Sequence, residues 1–211
     1  IGCDLWSDHA DFASRTKTSG ITGICGSGII DVVAQMFLVG IVSAEGVIDG
    51  GLAEKCSCII SGGRTWSYRL YKGDADIVIT QNDLRQIQLA KAALYAGIKL
   101  LMDKMDITSV DRIRLAGAFG SHIDVKQAMV LGLIPDCDLE HVSSAGNAAG
   151  TGARIALLNL SSRQDIEALV TRIEKIETAV EDSFQAYFVA AMALPHSNDD
   201  FPKLFKQVSR P

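Results

Sequence analysis

The sequence predicts an α/β fold with parallel strands in its second half, and three observations predict it. Leu84, Ile87, Ala90, Leu94, Ile98, Leu101 and Met105 recur at three- and four-residue intervals, which marks a long amphipathic helix. Two short apolar runs, 113–116 and 142–145, are bounded by turn residues, and a helical pattern follows each. A glycine-rich segment, Gly23-Ile24-Cys25-Gly26-Ser27-Gly28, opens a further helical pattern near the start. Strands alternating with helices pack as an α/β layer.

Taken in order, residues 1–21 are polar and irregular, with Trp6, His9 and Phe12 among charges, and read as a loop or insertion. The helix that follows carries Ile29, Ile30, Val32, Val33, Met36 and Phe37 and stops at Gly40. Glu45-Gly46, Asp49-Gly50-Gly51 and Ser61-Gly62-Gly63 divide the next stretch into short strands at 56–61, 66–71 and 77–79. Thr80-Gln81-Asn82-Asp83 has the form of a helix start with Thr80 as its cap. The strand at 113–116 ends in Gly117-Ala118-Phe119-Gly120-Ser121, and Asp124 caps a helix over 125–131 that stops at Gly132. The strand at 142–145 turns at Gly146 and Asn147 into a small-residue helix over 148–158. A helix, a strand near 173–179, a helix over 184–192 and a polar tail complete the pattern.

Composition narrows the function classes. A length of 211 residues with 48% apolar content supports a substantial core. The net charge of −5, with Lys and Arg scattered among Asp and Glu, argues against nucleic acid as a partner. The most apolar stretch, 29–42, is broken by Asp31 and Gln35 and is too short to span a membrane, so the expected location is the cytoplasm. The chain opens on Ile1 without an initiator Met, and the expectation is a segment cut from something longer. Five cysteines, an odd number, fit reduced thiols better than a disulfide framework. Cys56-Ser57-Cys58 lacks the further ligands that a closed metal site needs and reads as half-buried thiols in a strand. No metal ligand set is assigned.

Three glycine-rich turns carry the candidate chemistry: Gly26, Ser27 and Gly28; Gly117, Ala118, Phe119, Gly120 and Ser121; and Gly146 with Asn147. Amides at a helix start are unpaired and hold anions, while glycine admits a ligand closer than a Cβ permits. In an open α/β sheet the ligand lies beyond the carboxyl ends of the strands, where the turns after Ala116 and Ala145 would meet. Gly150 and Gly152 each cost a helix roughly 1 kcal/mol against alanine, which implies close approach of something to that helix. Each turn taken alone is also compatible with a plain connection. His122, Asp124 and Asp31 are thinner acid–base candidates, with Asp31 placed facing solvent, and no catalytic residue is assigned. The Walker A, nucleophile-elbow and G-x-G-x-x-G patterns are absent.

These motifs resemble those of the reductive activators of corrinoid proteins. The run from Ile79 to Ala93, ITQNDLRQIQLAKAA, is similar to that family's I-T-Q-x-D-(I/V)-R-x-(I/L)-Q-L-A-K-A-A signature, with Leu84 where the family has Ile or Val. Gly23 to Asp31 resembles its G-I-C-G-S-G-(L/I)-(I/V)-(D/E), Leu115 to Gly120 its L-A-G-(G/A)-F-G, and Gly146 to Ala149 its G-N-A-A. The resemblance covers residues 22–192. It implies a ribonuclease-H-like lobe of the actin-like ATPase fold, a mixed sheet with flanking helices. Residues 22–160 would form the nucleotide-binding lobe and residues 161–211 a C-terminal extension of the same domain.

The resemblance further implies ATP with Mg2+ as cofactor and a corrinoid protein or corrinoid-dependent methyltransferase as partner. ATP binding and hydrolysis would drive cobalt from Co(II) to Co(I). Gly117 to Ser121 would pack against adenosine, and the 146–153 segment would lie at the hinge between lobes. The ferredoxin domain with its two-iron two-sulfur cluster, and the D-I-G-T-N phosphate hairpin, belong before the matched region and are not in these residues. The parent protein would be the ATPase, with this part inactive alone. Two alternatives stay open. One is a docking or homodimerisation module using the long helix and the C-terminal segment. The other is an iron–sulfur protein with a cluster at Cys25, whose loop resembles the C-A-A-G-T-G stretch of dehydratase activators but lacks the Ala-Ala.

Overall fold

Helix α1 (Gly26–Leu38) starts inside the glycine-rich segment in the computed structural model, which describes residues 14, 20–73, 76–117 and 119–211. The irregular segment expected at 1–21 lies almost wholly outside the described residues. Cys25 caps α1 with its sulfur, and Ile30, Val33, Met36 and Phe37 go into the core. Gly40, at φ +74°, turns the chain back, and the Ile41 and Val42 amides return to the Met36 carbonyl. A tight reversal over 42–48 follows, with Val42 and Ile48 paired antiparallel.

Strands β1 (Ile59–Ser61), β2 (Trp66–Tyr71) and β3 (Ile77–Thr80) form a three-stranded antiparallel sheet in the order β1-β2-β3. The register sets Ile59 opposite Tyr68 and Ser67 opposite Thr80, with a bulge between Arg69 and Tyr71. Cys56 and Cys58 are half-buried as expected but precede β1 rather than lying in it. Helix α2 (Gln81–Lys104) begins at the predicted capping box, in which Thr80 and Asp83 satisfy each other's amides.

Strand β4 (Ile113–Ala116) leads through a 3-10 turn and the short helix α3 (Val125–Val130) to β5 (Val142–Gly146). The two strands pair in parallel, Ile113 opposite Val142, and form a second sheet. The antiparallel and parallel strands of the expected mixed arrangement are therefore distributed over two sheets. Helices α4 (Ala148–Leu158) and α5 (Leu160–Val170) follow, then a 3-10 turn at Thr178–Val180 and helix α6 (Phe184–Ala190).

Three expectations need correction. No strand forms at 173–179: the segment is irregular and ends in the 3-10 turn, and exposed Ile173 and Val180 have no neighbouring strand to pair with among the described residues. The tail is not a solvated polar end. Phe201 and Leu204 are fully buried, and the Asp136 carboxylate accepts from the Lys203 and Leu204 amides, both at 2.9 Å.

The third correction concerns which face of α2 is inside. Leu94, Leu101 and Met105 are exposed, while Leu84, Gln88, Lys91, Ala92, Tyr95 and Leu100 are buried. The inner face meets irregular backbone, whose carbonyls need donors, so Gln88, Lys91 and Tyr95 go in beside Leu84, Ala92 and Leu100. Gln88 Nε2 donates to the Glu45 carbonyl at 2.9 Å and the Met192 carbonyl at 2.8 Å. Lys91 Nζ donates to the carbonyls of Ala193 and Pro195, the latter at 2.6 Å. Tyr95 donates its hydroxyl to Asp199 at 2.6 Å. The helix thereby stitches the 42–48 reversal and residues 192–199 to the core.

Candidate functional site at the ends of the parallel strands

The turns after β4 and β5 are side by side and joined by one main-chain hydrogen bond: the Gly117 amide donates to the Gly146 carbonyl at 2.8 Å. Both glycines have left-handed backbone, φ +108° at Gly117 and +62° at Gly146, which L-residues rarely adopt. A Cβ at either would meet nothing within 4 Å among the described residues, so no side chain of theirs covers the backbone at either glycine. Gly120 has a different reason to be glycine: a Cβ there would sit 3.1 Å from Leu115 Cβ. Ser121 folds back on the turn, its Oγ donating to the Gly117 carbonyl at 3.0 Å. Ala118 lies outside the described residues, and Phe119 belongs to the 3-10 turn Phe119–Ser121.

On the β5 side, Asn147 is the N-cap of α4, its Oδ1 accepting from the Gly150 amide at 2.9 Å. A Cβ on Gly150 would collide with that Asn147 side chain, which explains this glycine locally. Gly152 meets nothing within 4 Å, so no close approach within the described residues accounts for it.

The third glycine turn sits at the start of α1. Cys25 Sγ accepts from the Gly28 amide at 3.3 Å and lies 3.3 Å from Ser27 Oγ. Ser27 and Gly28 are buried, and a Cβ on Gly28 would press on Ile24 and on the Cys25 sulfur. This turn is related to the other two through α3, which packs on α1. Asp31 of α1 and Asp124, the α3 cap three residues beyond Ser121, are electrostatic neighbours. Burial pushes the Asp31 carboxyl up, and the Asp124 charge adds to the shift. Asp31 is half-buried rather than facing solvent: its Oδ1 is buried without a hydrogen-bond partner among the described residues, as is the Oε1 of Gln127 on α3. Among the described residues no three His, Cys, Asp or Glu side chains converge on a metal-sized position.

Reading the sequence alone missed the polar inner face of α2. A signal existed in the spacing of Gln81, Gln88, Lys91 and Tyr95, which puts donors on one side of the helix. Gln81 shows the same behaviour, donating to the Gly46 carbonyl at 2.6 Å and accepting from the Ile48 amide at 3.0 Å. Within the signature stretch, Gln81, Gln88 and Lys91 thus act as main-chain clamps.

A parallel β-loop-helix pair whose strand-end glycine turns are tied together is the architecture of an α/β ligand-binding lobe. Residues 4–205 match the family model described as the C-terminal domain of RACo, the ASKHA domain, and the chain belongs to that family. It is 34% identical over 205 residues to the corrinoid activation enzyme RamQ of Eubacterium limosum, a match covering 91% of this chain and 34% of the relative. Among solved structures it is similar to a reductive activator for a corrinoid, iron–sulfur protein, with a TM-score of 0.74 and 33% identity. That likeness covers 83% of this chain and 29% of the other. The chain therefore spans about a third of the length of the relatives it matches. The expected actin-like α/β fold is borne out by family and structural neighbour together.

Proposed function

We propose that this chain is the nucleotide-binding part of an ATP-dependent activator of corrinoid proteins. The observation that carries the reading is the 2.8 Å bond between the Gly117 amide and the Gly146 carbonyl, in a chain of this family. It draws together two glycine-led turns, and a flat purine and its ribose could lie against the bare backbone at Gly117 and Gly146. The first turn of α4, directly after Asn147, offers main-chain amides toward an anionic group. Gly117, Gly120 and Ser121 would hold the adenosine side, with Ala118 and Phe119 in the same turn, while Gly146 and Asn147 position the second wall. Gly26, Ser27 and Gly28 supply the floor at the start of α1. Mg2+ would arrive with the nucleotide, and the two-iron two-sulfur cluster belongs to a part of the protein beyond these residues. The partner is a corrinoid protein or corrinoid-dependent methyltransferase, whose cobalt would pass from Co(II) to Co(I) by taking one electron from the reduced two-iron two-sulfur cluster, which is oxidised in the step. A nucleotide that favours one arrangement of the protein over another supplies the free energy for that uphill step.

Titration calorimetry of ATP on the full-length protein tests the reading, with Gly120→Val as the contrast. A valine at 120 drives its branches against Leu115 and displaces the turn. ATP affinity is expected to fall at least about tenfold, roughly 1.4 kcal/mol, together with corrinoid activation. No heat at saturating ATP in the wild-type protein would end the proposal. If Gly120→Val leaves activation and capture of the corrinoid protein intact, the docking-module alternative replaces it. The Cys25 alternative is decided separately, by iron content and a visible absorption band in anaerobically purified protein.

A further inference from the structure

Cys56 and Cys58 lie in a turn ahead of β1 rather than in an extended strand, and the difference decides their chemistry. The Ile59 amide donates to the Cys56 carbonyl at 3.0 Å, which closes a four-residue turn with Ser57 and Cys58 at its corner. In a strand, residues two apart have Cα atoms about 6.6–6.8 Å from each other, at the limit of what a disulfide spans. A turn folds the same two steps to about 5.5–6 Å, the commonest disulfide spacing. Both thiols also lie near one hydroxyl: Tyr68 of β2 donates to Cys58 Sγ and has the Cys56 thiol as an electrostatic neighbour. The main chain holds this arrangement. The Cys56 amide donates to the Leu52 carbonyl at 2.9 Å, the Arg69 amide to the Cys58 carbonyl at 2.8 Å, and Arg69 Nη2 to the Ser57 carbonyl at 3.3 Å. Both cysteines are half-buried, whereas Cys137 is fully buried, so a small reagent in solution reaches the pair and not Cys137.

We propose that Cys56 and Cys58 are a reversible dithiol–disulfide pair, closed within their own turn by a low-molecular-weight disulfide such as oxidised glutathione. One thiolate attacks a glutathione sulfur, forms a mixed disulfide and releases one glutathione thiolate. The second cysteine, as thiolate, then displaces the other glutathione. The protein gives up two electrons and two protons, and oxidised glutathione takes them up as two thiols. A bridge across a single intervening residue closes a small, strained ring, which places it with the labile disulfides rather than the structural ones. Closure changes the partner of Tyr68 from a thiol to a disulfide sulfur, so the end of the β1–β2 pair registers the redox state. The inference stands on the turn and on the exposure of the two thiols and does not need the nucleotide reading.

Peptide mass spectrometry of the full-length protein tests it. Trypsin cuts after Lys55 and Arg64 and releases both cysteines in one peptide, 56–64, that holds no other cysteine. The protein is equilibrated anaerobically with oxidised and reduced glutathione, quenched with acid, alkylated and digested. The expected product is peptide 56–64 lacking two hydrogens, free of glutathione and of alkyl groups, and restored by dithiothreitol. Cys56→Ser and Cys58→Ser are expected to carry glutathione on the remaining cysteine at least about tenfold more often than wild type, because no neighbour displaces it. In urea the ratio of bridged to glutathione-bearing peptide is expected to fall at least about tenfold, since the held turn supplies the effective concentration. Wild-type peptide that accumulates glutathione adducts, stays fully alkylated or bridges to another cysteine overturns the proposal. A ratio unchanged in urea overturns it as well, for closure would then owe nothing to the fold.

Discussion

Lys91 is fully buried, and its amine is held by two main-chain carbonyls of the C-terminal segment, so replacing it with methionine probes the clamp directly. Lys91→Met keeps most of the aliphatic volume and removes the donor, leaving the Ala193 and Pro195 carbonyls buried and unpaired. Each such group costs about 1–3 kcal/mol, so a loss of about 2–6 kcal/mol is expected at high pH. The loss depends on pH in a definite direction. Burial pushes the Lys91 amine down to about 7, whereas the unfolded chain keeps a value near 10.5. Between those values the unfolded chain binds one more proton than the folded one, so wild-type stability rises with pH by about 1.4 kcal/mol per unit relative to the variant. The destabilisation caused by Lys91→Met should therefore grow by about 2 kcal/mol from pH 7 to pH 9 and level off below pH 7, where the folded and unfolded chains both hold the proton. Urea titrations of both proteins at pH 6, 7, 8 and 9 measure it, read as the difference in midpoint multiplied by the slope. A difference that stays flat across this range would refute the reasoning. It would show that the two carbonyls keep the ammonium charged in the folded state despite its burial.

Other perturbations address separate parts of the structure. Gln88→Ala removes both donors to the Glu45 and Met192 carbonyls and is expected to cost about 2–4 kcal/mol in urea unfolding, with a cost below about 0.5 kcal/mol contradicting the clamp. Asp136→Ala uncaps the Leu204–Lys206 turn and should cost about 1–2 kcal/mol and speed proteolysis near residue 200. Asp31→Asn removes a carboxylate whose folded-state ionisation is disfavoured by burial and by Asp124. It should raise the thermal midpoint at pH 7–8, and the gain should vanish as acid protonates the wild-type carboxyl. A variant less stable than wild type at neutral pH would mean that the carboxylate holds a partner.

The limits of the helices were legible because end signals act locally. Thr80 with Asp83, Asp124 before Val125 and Asn147 before Ala148 each satisfy amides within three residues, so the information sits where the structure needs it. Strands β2 and β4 were equally plain, β2 for its aromatic Trp66, Tyr68 and Tyr71 and β4 for its short apolar run, each followed by a breaker. The inner face of α2 was legible only in the one-sided spacing of Gln81, Gln88, Lys91 and Tyr95, not in its apolar pattern. Its orientation is decided by carbonyls at Glu45, Met192, Ala193 and Pro195, three of them about a hundred residues away, and hydrophobic periodicity carries no term for such partners. The absent strand at 173–179 has the same origin, because a β-prone run becomes a strand only beside another strand. At the candidate site the glycines were visible, but the Gly117–Gly146 bond was not. A main-chain pairing between two loops leaves no trace in side-chain identity.

The stitching of α2 has a consequence for how the protein is made. Lys91 finds its carbonyl partners, and Tyr95 its carboxylate, only when residues 193–199 arrive, about a hundred residues later in synthesis. At the five to twenty residues per second typical of translation, the inner face of the helix waits several seconds with a buried-type amine, amide and phenol still in water. A nascent chain halted before residue 193 would carry a complete signature sequence and an unfinished core.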